Sequence, residues 1–316
     1  MDSNLQLALK KYYGYTTFKP GQEDIINSIL AGGDILGIMP TGGGKSICYQ
    51  LPALLMPGLT LVISPLIALM KDQVDALNEL GITAACINSG MEAGQIRSCL
   101  VEAHQGNYKL LYVAPERLAS ESFTNLLRNL PISLIAIDEA HCVSQWGHDF
   151  RPSYLDISPW IEQLPQRPVV AAFTATATLP VREDITKLLN LVNPDVYVTG
   201  FKRENLHLSA IKGVDKSRFI TQYIGSHPQQ SGIIYCATRK EVDFLCTYLQ
   251  TKGISAERYH AGMDKDERNQ NQEDFLYDEI QIMVATNAFG LGIDKSNVRY
   301  VIHHNMPRHL EAYYQE

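Results

Sequence analysis

Residues 34–55 read DILGIMPTGGGKSICYQLPALL, and the order of chemistry within that stretch decides the fold. The apolar run DILGIMP predicts a buried strand, TGGGKS a glycine-rich turn, and the segment after it a helix, which is the strand, loop, helix order of a phosphate-binding loop. Gly42, Gly43 and Gly44 let backbone N–H groups turn toward phosphate oxygens, and the helix N-terminus adds partial positive charge. Lys45 is predicted to reach the β and γ phosphates and Ser46 to offer its hydroxyl to Mg²⁺, and the expected nucleotide contact takes in Met39, Pro40, Thr41 and the residues to Ser46. One departure stands out: Met39 occupies the place of the first glycine in GxxxxGK[ST]. The plainer reading is a glycine-rich turn before a helix.

Outward from this stretch the same rhythm repeats. LTLVISP, TAACIN, KLLYVAP, SLIAIDE and PVVAAFTAT are near-continuous apolar runs separated by longer amphipathic segments. Strands covered on both faces in a parallel sheet have that texture, so an α/β domain with a mostly parallel sheet is predicted over 1–200. After VYVTGFKREN the rhythm restarts with GIIYCAT, a helix from Arg239 to Thr251, ISAERYH, a polar helix from Lys265 to Tyr277, QIMVAT and VRYVIHHN. This predicts a second α/β domain over 201–316, with a ligand cleft between the two. The 316 residues are ample for two domains at ~150 each.

Composition narrows the function classes. A hydrophobic content of 45% and a charged content of 19% exclude disordered, collagenous and coiled-coil chains. A net charge of −7, from 27 Lys and Arg against 34 Asp and Glu, supplies no global basic field, so any nucleic-acid contact must come from local residues. Six scattered cysteines without a CxxC pair give neither a zinc set nor a disulfide framework, and they fit a reducing, cytosolic compartment. Leu51 to Met70 carries no charge for twenty residues, but Pro52, Pro57, Gly58 and Pro65 break it into helix end, turn, strand and turn, so no membrane span is expected.

A second strand, LIAID, runs into Asp138-Glu139-Ala140-His141. Adjacent carboxylates at the carboxyl edge of a parallel sheet suit a ligand site: Asp138 for the Mg²⁺ shell, Glu139 to orient and deprotonate the attacking water. Acids at a strand end are often merely solvated. Paired with GGGKS on another strand, they point to nucleotide hydrolysis.

TGGGKS, DEAH, TATAT and ATNAFGLGIDK together resemble a superfamily 2 helicase motor, and SPLIALMKDQV, YVAPERL and DEAHCVSQWGHDFRPSY are similar to the RecQ family of DNA helicases. The resemblance implies two RecA-like domains, ATP in the cleft between them, and 3′ to 5′ movement on single-stranded DNA in repair and recombination. It also implies a bacterial cytosol or nucleoid location and DNA junctions as partners. It assigns adenine recognition to Tyr15, Lys19 and Gln22 in YGYTTFKPGQ, with Lys19 standing where the family usually has arginine. The glutamine could equally belong to a capped turn. His141 and the loop carrying Trp146, Phe150 and Arg151 are implied to couple DNA to the ATPase site, since rings stack on unpaired bases and arginine meets phosphate. The bland alternative packs Trp146 and Phe150 in the core, though the interleaved Gly147, His148 and Asp149 argue against a buried element. Thr174 and Thr176 resemble the link between domains, and Thr286, Gly290, Gly292 and Asp294 a segment that touches ATP and the DNA backbone. Arg239 and His260 fit further family positions or are simply loop residues.

The sequence stops at Glu316, before the GRAGRDG segment with which the family continues, and the expectation is that this chain by itself hydrolyses ATP poorly. Two other functions remain in play: a remodelling ATPase on RNA or duplex DNA, and a nucleotide- and DNA-binding module that does not turn over.

Overall fold

The computed structural model describes residues 2–88, 90–147, 149–200, 205–289, 295–307, 312–313 and 316. Gly290, Gly292, Asp294 and His148 lie outside the described residues. The chain divides into two compact units, Met1–Lys202 and Arg203–Glu316.

In the first unit the described residues form seven parallel strands, β1 (Ile35–Ile38), β2 (Leu59–Ile63), β3 (Ala84–Ile87), β4 (Leu110–Val113), β5 (Ile132–Ile137), β6 (Val169–Thr174) and β7 (Asp195–Val198). They lie in the order β3-β4-β2-β5-β6-β1-β7. The near-continuous apolar runs have a direct cause: successive residues feed opposite faces, and both faces are covered. Leu61, Ile63, Ile135, Ile137, Val170 and Ala172 join one core layer, while Val62, Leu134, Ala136, Ala171 and Phe173 join the other. Gly37 in β1 makes room for this packing, because a Cβ there would stand 2.8 Å from the Phe173 ring.

Three helices flank the start of the sheet: α1 (Asp2–Tyr13), α2 (Gln22–Leu30) and α3 (Lys45–Leu55). Leu5 and Leu9 of α1 bury against Ile26 of α2 and Leu51 of α3. Helix α3 runs through Pro52 to Leu55, a bend covers 56–58 and β2 follows, the order of helix end, turn and strand expected for this uncharged stretch. No helix among the described residues is long and apolar enough to cross a membrane. Asp34, just ahead of β1, ties the far edge of the sheet. Its buried carboxylate accepts from both terminal nitrogens of Arg167 (3.0 and 2.6 Å) and from the N–H groups of Val170 (2.9 Å) and Val192 (2.7 Å).

The second unit holds four parallel strands among its described residues, β8 (Ser231–Tyr235), β9 (Ala256–Tyr259), β10 (Ile282–Ala285) and β11 (Val298–His303), ordered β11-β8-β10-β9. The helix read from Arg239 to Thr251 spans those residues and is closed by a capping box between Thr238 and Glu241. The polar helix runs from Lys265 to Leu276.

Candidate nucleotide site and aromatic loop

Because every pairing in the first sheet is parallel, the strands β2, β5, β6 and β1, adjacent in that order, open their carboxyl ends on one edge. The glycine loop follows β1, Thr174 ends β6, and Asp138 follows β5, so loop and acids stand two strand spacings apart, roughly 10 Å. The ladder extends past the strands: Met39 N–H donates to Thr174 O (3.0 Å), and Asp138 N–H donates to Ile63 O (2.9 Å).

Within the loop, Gly42 and Gly44 take positive φ (75° and 81°), a conformation open to glycine at little cost. A Cβ on Gly43 would lie 2.8 Å from the Pro40 carbonyl. Helix α3 begins at Lys45 with no side-chain cap, so its first-turn N–H groups face the loop as donors for an anion. Gly43 N–H itself is engaged by Pro40 O (2.8 Å). The Lys45 ammonium sits 3.4 Å from Met39 O, a weak contact that a phosphate can replace. Met39, in the place of the motif's first glycine, is buried with its sulfur 3.8 Å from the Cys48 thiol, so only its backbone is offered to the loop.

The adenine-side turn is wired into this loop. Gln22 is 2% exposed; its amide oxygen accepts from Lys19 N–H (2.8 Å) and its amide nitrogen donates to Gly44 O (3.0 Å). Lys19 Nζ donates to Gly42 O (2.8 Å), while Tyr15 is 58% exposed. The bond from Lys19 N–H agrees with the capped-turn reading, and the bond to Gly44 O adds a brace against the phosphate loop, leaving one amide proton and one lone pair for a base.

Asp138 is buried, and desolvation, followed by the neighbouring Glu139 charge, pushes its carboxyl up to about 6, with Lys45 pulling the other way. Its Oδ1 accepts from Glu139 N–H (3.0 Å), and Tyr154 donates its hydroxyl to the Asp138 carbonyl (2.8 Å). Glu139 adopts the left-handed conformation (φ 47°), rare for a residue with a side chain and frequent where strain serves a site. Its Oε2 lies 3.2 Å from His141 Nδ1, which is also 2.9 Å from Thr174 Oγ1. His141, Thr174 and Thr176 are all buried, so they cannot meet a DNA strand directly; they join the acids after β5 to the segment after β6.

Trp146 is 79% exposed, which removes the core alternative, and Phe150 is half-buried. Arg151 is turned inward: Nε donates to Asp149 Oδ2 (3.0 Å) and Nη1 to Pro65 O (3.0 Å), so the guanidinium fixes the loop rather than standing free for phosphate. In the second unit Thr286 follows β10, its N–H donating to Tyr259 O (3.1 Å). Buried His260 sits 3.1 Å from Asp243, and Arg239 opens its helix.

The sequence reading missed Tyr154, Ser144, Asp184 and a buried chain in which Gln50 accepts from Tyr13 (3.1 Å) and donates to Gln73 (2.9 Å) and Tyr112 (3.1 Å). Tyr154 and Ser144 had a signal, their place in the most specific motif, DEAHCVSQWGHDFRPSY.

The DEAD/DEAH box helicase family matches residues 19–185, and the helicase conserved C-terminal domain matches residues 215–316. The ATP-dependent DNA helicase RecQ of Bacillus subtilis is 51% identical over 312 residues, 98% of this chain and 53% of that protein. The protein of the same name from Synechocystis sp. is 41% identical over 321 residues, 99% of this chain and 67% of its own length. The chain thus spans about half the length of the first curated relatives it matches, 53%, 49% and 50%. Among solved structures, Mycobacterium smegmatis helicase Lhr bound to ssDNA and AMP-PNP superposes with a TM-score of 0.74 at 21% identity, over 98% of this chain and 45% of that one, a likeness of fold. Both units have the RecA-like helicase fold, and with this identity along nearly its whole length the chain belongs to the RecQ family of DEAD/DEAH box helicases.

Proposed function

We propose that the chain is the ATP-hydrolysing motor core of a DNA helicase that moves 3′ to 5′ on single-stranded DNA, acting in the cytosol on repair and recombination intermediates. The observation that carries the reading is the gathering of an uncapped helix N-terminus, Lys45, the Asp138-Glu139 pair and an exposed tryptophan loop around one edge of one sheet.

Lys45 and the first-turn N–H groups bind the triphosphate, and Glu139 orients water and takes its proton. The glycine cradle and the hydroxyl-plus-carboxylate donor set fit Mg²⁺, which would be held by Ser46 and Asp138. Two protein donors are few for a resident ion and suit one that arrives with phosphate oxygens. When bound, Mg²⁺ supplies neutralisation of the charge on the β and γ phosphates. His141 touches both Glu139 and Thr174, so a shift in either segment moves the base. Trp146 and Phe150 stack on unpaired bases; Thr286, Gly290, Gly292 and Asp294 serve nucleotide and strand in the second unit.

The test is ATP turnover with no nucleic acid, with a thymidine oligonucleotide, with RNA and with blunt duplex. The single strand of DNA is expected to stimulate most, and stimulation by RNA alone would reject the reading.

A further inference from the structure

Trp146 stands on a backbone that is fastened at both sides. On one side, Ser144 is fully buried; its Oγ donates to Asp184 Oδ2 at 2.6 Å and accepts from Trp146 N–H at 3.1 Å. One proton and one lone pair of the same hydroxyl are thereby committed, so its orientation is fixed. The 2.6 Å separation falls in the charge-assisted range. Ser144 O also accepts from Gly147 N–H (3.0 Å). On the other side, Arg151 N–H donates to Cys142 O (2.9 Å) and its guanidinium to Pro65 O (3.0 Å). The loop backbone between lies so close to His141 O that a Cβ on Gly147 would collide with it.

Asp184 belongs to the helix Leu179–Leu188, whose N-cap Thr178 comes two residues after Thr176. The segment that touches His141 through Thr174 therefore continues directly into the helix that clamps the tryptophan loop. An exposed ring on a freely moving loop would report nothing, because each base it met would be accommodated by loop motion. A ring whose own amide hydrogen is tied to a buried hydroxyl, itself tied to a carboxylate on a helix, passes force to that helix.

We infer that Asp184 is a positioning residue: through Ser144 it sets where Trp146 stands and links its occupancy by a base to the Thr174–His141–Glu139 contact. The inference rests on the reading of Trp146 as a base-stacking residue.

The chain has two tryptophans, and Trp160 is buried with an unpartnered ring nitrogen, so Trp160→Phe leaves Trp146 as the sole indole reporter without stranding a hydrogen-bond partner. In that background, titration with a thymidine oligonucleotide at a temperature well below the unfolding midpoint is expected to quench Trp146. Ser144→Ala and Asp184→Ala should each raise the half-saturating oligonucleotide concentration about tenfold, the size of one hydrogen bond to a charged group. The double variant should be no worse than either single one. Asp184→Asn, whose amide oxygen still accepts from Ser144, should recover most of the loss. If the variants lower the unfolding midpoint but keep the original titration curve, the bond is only a tether and the inference fails. A different failure, no quenching of Trp146 in the protein carrying Trp160→Phe alone, would sink the base-stacking reading as well.

Discussion

Gln22→Ala separates two roles that the same amide could play. Both of its hydrogen bonds are to backbone, Lys19 N–H on one side and Gly44 O on the other, and the residue is almost wholly buried. Truncation removes two bonds with a net value of about 1 kcal/mol each, so about 2 kcal/mol of loop order is lost and must be regained when a triphosphate binds. At ~1.4 kcal/mol per decade this weakens nucleotide binding about thirtyfold. A brace on the phosphate loop is indifferent to the base, so ATP and GTP should suffer alike, as measured by calorimetry with non-hydrolysable analogues. Gly44→Ala attacks the same contact from the other partner, because a Cβ there would collide with Gln22 Nε2 on a backbone at φ 81°, and it should give a similar loss. Should Gln22→Ala weaken ATP binding and leave GTP binding untouched, the amide works on the adenine edge and the bracing argument is wrong.

Glu139→Gln should lower ATP turnover at least a hundredfold, roughly the range of a lost general base, with analogue binding kept within a few fold; equal turnover would remove Glu139 from that role. Asp34→Ala strips a buried carboxylate from Arg167 and two backbone N–H groups and should destabilise the first unit by about 3–5 kcal/mol in urea unfolding. In the nucleotide-free protein, burial raises Asp138 from 3.8 to about 6, so its contribution to stability is full below pH 4 and is lost as pH rises through about 6. Asp138→Asn, which keeps an acceptor for Glu139 N–H, should therefore gain in thermal midpoint over the original protein between pH 5 and 7, and a constant difference across that range would contradict it.

How much of this was legible in the sequence depends on the distance over which each feature is determined. β1, β2, β4, β5 and β6 were visible because strands covered on both faces carry apolar residues without interruption, a local signal. β7 was not, because it is an edge strand with Val196 and Val198 exposed, and its DVYV sequence looks like the approach to a linker. The glycine loop and the acids were legible as well, since phosphate binding and the strand-end position constrain neighbouring residues. Met39 was named for the loop on spacing alone, and with its side chain packed against Cys48 and its N–H bound to Thr174 O it has only its carbonyl to contribute.

What escaped was pairing between residues far apart in the chain, and it changes what several named residues do. Spacing says that Arg151 lies near Trp146 and that cations meet phosphate; it cannot say that Pro65, 86 residues away, offers a carbonyl that turns the guanidinium inward. Nor does an acid on an amphipathic helix disclose a serine 40 residues before it, as with Asp184 and Ser144. The consequence is a division of labour within one loop. Trp146 is the group left in solvent, while the residues around it use their polar atoms to hold its backbone. On the stacking role proposed for Trp146, an indole held this way would lose little conformational freedom to a base, which would leave more of the stacking free energy to act on the acids behind it.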